Sequence, residues 1–388
     1  MQVYADNAAT TKMSATAINA MVPYFDKVYG NPSSLHRMGY LAECELKAAR
    51  ETILSTLGAG GSELIFTASG SEANNLAIFG RCYSKERYKR GAKIITTDGE
   101  HASVNAPLER LRAEGFRVVN IPTRNGKLDL DALLAELDGS TILVTMMLVN
   151  NETGAIYDTA AVARLIKRKA PEALLHVDAT QGYLKTRISK ASLGADMISI
   201  SSHKIHGPKG IGALILDAKI AKLRAVAPMI LGGGQEGGLR SGTENVPAAA
   251  AFAEAARIGY GALDTFIEKT GALREMLISE LRGEGLSEIS PTLPEIHAPH
   301  IINITLPGIK SETMLHHLSS LGIYVSSGSA CSSNSRTKHS LALVAYGRSE
   351  SEADSSIRIS FSEENTEEDV LMLCEGLRTG LARLARIK

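Results

Sequence analysis

Between residues 64 and 216, seven short runs rich in apolar and β-branched residues recur with helix-length stretches between them: LIFTA (64–68), KIITT (93–97), RVVNI (117–121), TILVTMML (141–148), LLHVD (174–178), MISIS (197–201) and IGALIL (211–216). Parallel strands need crossovers long enough to hold a helix, so this alternation predicts a mainly parallel sheet with helices on both faces. Several runs are apolar throughout, as strands covered on both sides must be. A chain of 388 residues also exceeds the size at which one core keeps growing, so a second, smaller unit is expected. After about residue 260 the pattern changes to a long helix, a strand at HIINITL (300–306), a helix at 311–321, the strand IYVSS (323–327) and a final helix.

Two helices carry readable ends. The stretch 36–57 places Leu41, Cys44, Ala48, Leu54 and Leu57 near helical spacing and stops at Gly58, which predicts an amphipathic helix with Cys44 in the core. In the final helix Thr366 lies three residues before Asp369, a capping-box start, and Val370, Leu373, Leu377, Leu381 and Leu384 share one face with Cys374 packed beside it.

Composition narrows the function. Lys plus Arg number 42 and so do Asp plus Glu, so the chain as a whole presents no field for nucleic acid or an anionic membrane. The start MQVYADNAAT has no basic segment followed by an apolar stretch, and no run approaches the roughly 18 apolar residues that span a bilayer, so a cytoplasmic protein is expected. Cys44, Cys82, Cys331 and Cys374 form neither CxxC pairs nor a dense framework, which suits reduced thiols. The glycines of LGGGQEGG lack the GK[ST] ending of a P-loop, which argues against nucleotide binding.

Three segments look chemical. SISSHKIHGPKG (199–210) puts Lys204 just after a strand end, where open α/β sheets bind ligands and where an amine in a partly dry cleft can form a Schiff base; most lysines are simply solvated. LLHVDATQG puts Asp178 at a neighbouring strand end, either as a helix cap or as the partner of a protonated ring nitrogen. FTASGSEANN sets Ser69, Gly70 and Ser71 before a helix, a plain capped start or a phosphate cradle.

With these segments in place the chain closely resembles the cysteine desulfurases of the NifS/IscS type, class V aminotransferases with the fold-type I pyridoxal-phosphate architecture. The resemblance runs through YADNAATT, GNPSSLHRMG, SGSEANNLA, EHASV, VNNETG, HVDATQ, SSHKIHGPKGIG, RSGTENVP, SSGSACSS and SSIRISFS, in order. It implies a large domain at 14–260 and a small α+β domain made of 1–13 and 261–388. It further implies that Lys204 bonds the cofactor's aldehyde, Asp178 faces the ring nitrogen, Gln181 the ring hydroxyl, and His101 stacks on the ring and helps move protons. Gly70, Ser71, Ser201 and His203 would hold the phosphate, with Ser202 beside them where many relatives have Gly. Thr243 would reach the phosphate of a second subunit, making a homodimer the working unit. Asn151 and Arg358 would hold L-cysteine, the planar guanidinium bonding two carboxylate oxygens at once.

Cys331 sits in SSGSACSSNSRTKHS, small and polar, a poor setting for a buried thiol and a good one for an exposed loop (about 328–350). Residues 332–357 separate it from Arg358, as in the long-loop group of desulfurases rather than the SufS-like group. The resemblance then implies that Cys331 thiolate takes sulfur from L-cysteine as a persulfide, leaving alanine, and passes it to an IscU-type iron–sulfur scaffold or a tRNA-thiolation protein. No resident metal is expected, only a passing iron–sulfur contact at Cys331. The competing readings are an aminotransferase or lyase on the same scaffold, selenocysteine lyase included, and a sulfur carrier or assembly scaffold without catalysis. Intact Lys204, Asp178 and His101 speak against the last.

Overall fold

The structure is a computed structural model that describes residues 2–84, 92–327 and 339–384. After a short strand β1 (Val3–Tyr4), the seven runs singled out above all form strands: β2 (Glu63–Thr67), β3 (Lys93–Thr97), β4 (Arg117–Ile121), β5 (Thr141–Met147), β6 (Leu174–Asp178), β7 (Met197–Ser201) and β8 (Gly212–Leu216). They build one sheet in the order β2-β8-β7-β6-β5-β3-β4. The five from β7 to β4 run parallel, and β8 lies antiparallel to both β7 and β2. Every residue of β3, β5, β6, β7 and β8 is buried, which is why those runs lack a polar alternation.

Successive side chains still go to opposite layers. Leu64, Phe66, Ala213 and Ile215 join a core with the helices Arg37–Thr56 and Val246–Gly261, while Ile65, Leu214 and Leu216 join one with the helix Gly70–Cys82 and with Val104, Leu108 and Leu111 of the helix Ala102–Ala113.

The helix Arg37–Thr56 corrects one expectation. Its buried positions are Gly39, Ala42, Leu46, Ala49, Ile53 and Thr56, while Leu41 and Cys44 are exposed. It packs against Val246–Gly261, whose own buried face is largely alanine, so small residues on both helices set the line of contact, with Leu46 and Ile53 on the buried side and Leu41 and Cys44 outside. Cys82 and Cys374 are buried.

The second sheet is antiparallel, in the order β12 (Ser326–Ser327), β13 (Ser356–Ser360), β10 (Ile301–Thr305) and β9 (Ser290–Thr292). The run IYVSS is not one strand: β11 (Ile323–Tyr324) pairs parallel with β1, and the chain then changes partner at Val325 to enter β12. The long helix expected after residue 260 is Leu263–Glu280, set off from Val246–Gly261 at Ala262. Val3 and Ala5 pack in the second core with Ile302, Ile357, Leu373 and Cys374, so the first strand belongs physically to the last third of the chain. The final helix, Glu367–Arg383, opens on the expected capping box between Thr366 and Asp369. Among the described residues no helix is long and apolar enough to cross a membrane.

Candidate active site

The carboxyl ends of β5, β6 and β7 and the start of the helix Gly70–Cys82 converge on a cavity of about 260 Å³. Parallel strands make this place: each ends at the same edge of the sheet, and the departing loops splay apart there. Gly70, Ser71, His101, Asn151, Asp178, Gln181, Ser201, His203, Lys204 and Arg358 all line the cavity. Ser202 does not; it is buried, against Gly207. Thr243 lines a separate cavity of about 250 Å³ with Glu236 and Arg240. Cys331 lies outside the described residues.

Asp178 ends the buried strand β6 with its carboxylate answered by neutral donors: Asn74 Nδ2 at 2.7 Å on Oδ2 and the Thr180 amide at 2.9 Å on Oδ1. Those donors satisfy the anion without cancelling its charge. Lys204 closes a 3₁₀ turn directly after β7, and its Nζ donates to the carbonyls of Ala8 at 2.6 Å and Ala9 at 2.7 Å. Gln181 Nε2 donates to the same Ala8 carbonyl at 2.8 Å. The N-terminal segment thus forms part of the site's wall.

His101 caps the helix Ala102–Ala113, with its Nδ1 accepting from the Ser103 amide at 3.1 Å, which places the neutral ring's proton on Nε2. Burial pulls its pKa down, and Lys204 and Arg358 add to this against the pull of Asp178. His203 is lowered to about 4 by burial and by Lys204. Both imidazoles are therefore neutral at physiological pH. Glu100, beneath the cavity floor, is raised to about 8 by burial, while Thr97 Oγ1 and the Met147 amide donate to it.

The opposite wall comes from the second sheet. Arg358 on β13 reaches over from it, with Nη1 donating to the Asn151 carbonyl at 2.9 Å and Nη2 to Asp6 Oδ1 at 2.9 Å. Its Nε is buried and finds no partner among the described residues.

The sequence reading missed Asn74, Ser103, Thr180, Asp6 and the Ala8 and Ala9 carbonyls. Asn74 had a signal: four residues after Gly70 it shares that helix face. The carbonyls of Ala8 and Ala9 had none, because nothing in a side-chain pattern reports a backbone acceptor reached from Lys204.

The residues fit pyridoxal phosphate. Ser201 Oγ and Gln181 Oε1 are buried without partners among the described residues, so the cavity holds polar groups that protein alone leaves unspent. The first amides of the helix Gly70–Cys82 open toward it with Ser69 as the cap. Small residues permit that approach: a Cβ on Gly212 would stand 2.5 Å from the Ser69 carbonyl carbon, and one on Gly70 would stand 3.1 Å from Thr180 Oγ1 and 3.2 Å from Ser201 Cβ. An amine for the aldehyde, a carboxylate for the ring nitrogen and an anion cradle are all present in one cleft.

Residues 3–373 match the family model described as aminotransferase class-V. The cysteine desulfurase IscS 1 of Archaeoglobus fulgidus is 35% identical over 382 residues, covering 98% of this chain and 97% of its own. Among solved structures a NifS-like protein superposes with a TM-score of 0.91 at 35% identity, covering 99% of this chain and all of its own. SspA in complex with cysteine superposes with a TM-score of 0.79 at 30% identity over 94% of this chain and 100% of that one.

Proposed function

The chain belongs to the class-V aminotransferases, among the cysteine desulfurases of the NifS/IscS kind, and from that premise we propose that it moves sulfur from L-cysteine to its own Cys331, releasing L-alanine. The observation that carries this reading is the convergence of Lys204, Asp178, His101 and Arg358 on one cavity, a base, a ring partner, a neutral imidazole and a carboxylate clamp. Pyridoxal phosphate, when bound, supplies an electron sink for the pair left at the substrate's Cα.

Asp178 holds the ring nitrogen's proton by charge, Gln181 the ring hydroxyl, and Gly70, Ser71, Ser201 and His203 the phosphate, with Ser202 packed behind. Thr243 serves the phosphate of a second subunit. Arg358 and Asn151 bind the amino acid, Arg358 through its carboxylate. Lys204 removes the Cα proton, and His101, neutral by burial, passes protons near the ring. Cys331 thiolate then attacks the substrate sulfur. A sulfur–sulfur bond forms, the carbon–sulfur bond breaks, and its electron pair stays with carbon, which takes up protons to leave as alanine.

A two-fold homodimer suits the exposed apolar side chains Val22, Phe25, Tyr29, Leu35 and Tyr40 near the start of the helix Arg37–Thr56 and would bring Thr243 to its target. The persulfide's acceptor is an IscU-type scaffold or a tRNA-thiolation protein, with at most a passing iron–sulfur contact at Cys331, and the setting is cytoplasmic. Trapping the persulfide with iodoacetamide after one turnover tests the reading: one added sulfur on the Cys331 peptide per alanine is expected. Alanine formed at the wild-type rate by Cys331→Ala would overturn it.

A further inference from the structure

Asp6 stands two residues beyond β1, where a bridge to Ser360 lays it along β13 beside Arg358. Its Oδ1 accepts from Arg358 Nη2 at 2.9 Å, and the side chains are 20% and 4% exposed, so the pair is largely out of water. Nη1 is spent on the Asn151 carbonyl, and Nε is buried with no described partner. Arg358 lines the cavity with two of the roughly five N–H donors of a guanidinium engaged, so it keeps donors for a ligand while its charge is already answered. An incoming carboxylate must share one cation with a second carboxylate, and in a partly dry site two like charges that close together raise the proton affinity of one of them. An amino acid's own carboxyl is the stronger acid, so the proton goes to the aspartate.

We propose that Asp6 is a positioning residue of the substrate clamp, which holds the Arg358 fork in place and takes a proton from solvent when the amino acid's carboxylate docks, so that amino-acid binding is coupled to protonation of Asp6. The inference rests on the reading above that Arg358 receives that carboxylate. Burial already pushes the Asp6 pKa upward against Arg358 and, more weakly, Lys204. The charged and titratable groups facing Asp6 are Arg358 from β13, Lys204 from the turn after β7 and Tyr4 from its own segment. Those that sense Arg358 in turn are His101, Glu152, Lys185 and His300. Among the described residues no hydrogen bond or ion pair joins any of these four to Asp6, whereas a carboxylate ligand on Arg358 would stand beside it.

The direction with pH follows. A ligand that binds the protonated form better binds more tightly as pH falls through the pKa that Asp6 has in the complex, and levels off below its value in the free protein. The test is calorimetric titration of the cofactor-loaded protein with L-alanine between about pH 5 and 8, at each pH in two buffers that hold that pH and differ in heat of ionisation. The difference in heat between buffers gives protons taken up per site. Wild type should take up a larger fraction of a proton than Asp6→Asn, whose amide still accepts from Nη2 but cannot titrate, and the fall in Kd toward low pH should flatten in that variant. Asp6→Glu should keep the proton uptake with a weaker Kd, and Asp6→Ala should raise Kd roughly 10-fold or more through loss of a charge-assisted hydrogen bond. Visible absorbance reports that each variant is loaded. Equal proton uptake and equal pH profiles in wild type and Asp6→Asn, or loss of the uptake in a loaded Asp6→Glu, would overturn the proposal. Failure of loaded wild type to bind L-alanine at all would instead take down the clamp reading and Asp6 with it.

Discussion

On the wall of the cleft built from the seven-stranded sheet, Asp178 is held by the neutral donors Asn74 and the Thr180 amide, at 2.7 and 2.9 Å, whereas on the wall built from the second sheet Arg358 is held by another charge, Asp6, at 2.9 Å. Neutral donors fix a carboxylate without a counter-charge beside it, which suits the pairing of Asp178 with a ring nitrogen proposed above. A charged partner also fixes the arginine, but it answers the charge before any ligand arrives. On the proposed reading the first wall, for the cofactor, holds one group permanently, and the second, for the substrate, exchanges a partner at each turnover.

The largest effect expected is at Lys204. Lys204→Ala should lower alanine formation by about 10⁴-fold, the upper range for loss of a general base, while the Asp178 side of the wall stays intact and still binds cofactor noncovalently. Borohydride reduction of the loaded wild type, followed by peptide mapping, should label Lys204; a label on Lys185 or Lys209 would break the assignment.

Next come two changes to the same anion. Asp178→Asn removes the field and should reduce turnover by about 10²–10³-fold with cofactor still bound, the scale of losing one preorganised electrostatic group. Asn74→Ala keeps the charge and removes one of its two donors, a loss of about 1–3 kcal/mol at a buried anion. Turnover should fall roughly 5- to 150-fold, and cofactor affinity should fall with it. If Asn74→Ala matched Asp178→Asn, the distinction between a fixed field and its fixing donors would be lost. Rates and cofactor affinity by equilibrium dialysis decide this.

A smaller effect separates His101 from both walls. Burial holds its pKa below the ordinary histidine value of about 6.5, so the neutral form persists as pH drops and is lost only as pH falls through that lowered value. The acid limb of kcat should lie below about pH 6.5, and His101→Gln should both slow the reaction and flatten that limb. An unchanged limb in the variant would assign it to another group.

How much of this was readable in the sequence depends on the range of the interaction. All seven strands of the large sheet were legible because an apolar run and its flanking turns are local signals. Asp178, which ends one such run, and Lys204, three residues past another, could be placed at strand ends on the same local signal, while their meeting in one cavity is a product of the fold. Cys44 was misread because the buried stripe of its helix mixes Leu46 and Ile53 with Gly39, Ala42 and Ala49, residues too small to stand out in a hydrophobic period, while Leu41 and Cys44 face outward. The split of IYVSS could not be seen, since its two halves are strands for different partners, β1 and β13, each chosen by the tertiary fold. Asp6 was equally hidden: its meaning comes from Arg358, 352 positions away in the chain.

The smallest effect tests whether the substrate wall depends on the neutral network behind it. Asn365, just before the final helix, donates through Nδ2 to the Tyr4 carbonyl at 3.0 Å and accepts from Asn7 Nδ2 at 3.3 Å, so it ties down both sides of the segment that carries Asp6. Its neighbour Thr366 caps the same helix, accepting from the Asp369 amide at 3.3 Å, but makes no hydrogen bond to that segment among the described residues. Asn365 also donates to Asp369 Oδ2 of that helix at 3.0 Å, so Thr366 serves as the control for the helix's share of any effect. Thr366→Ala should cost about 1 kcal/mol of stability, the ordinary loss of a cap, with kcat/KM unchanged. Asn365→Ala removes the 3.0 Å donor from the Tyr4 carbonyl, which keeps Asn7 Nδ2 at 3.3 Å, and the 2.8 Å acceptor from the buried Ser362 amide, a loss of about 1–3 kcal/mol, and should in addition raise KM for L-cysteine by a few fold at unchanged kcat, because the Asp6 segment is the part released. Thermal melts and steady-state kinetics on the pair decide it. Equal KM values in the two variants would mean that Asp6 holds Arg358 without help from Asn365, and that the substrate wall is fixed by its one ion pair and the Asn151 carbonyl alone.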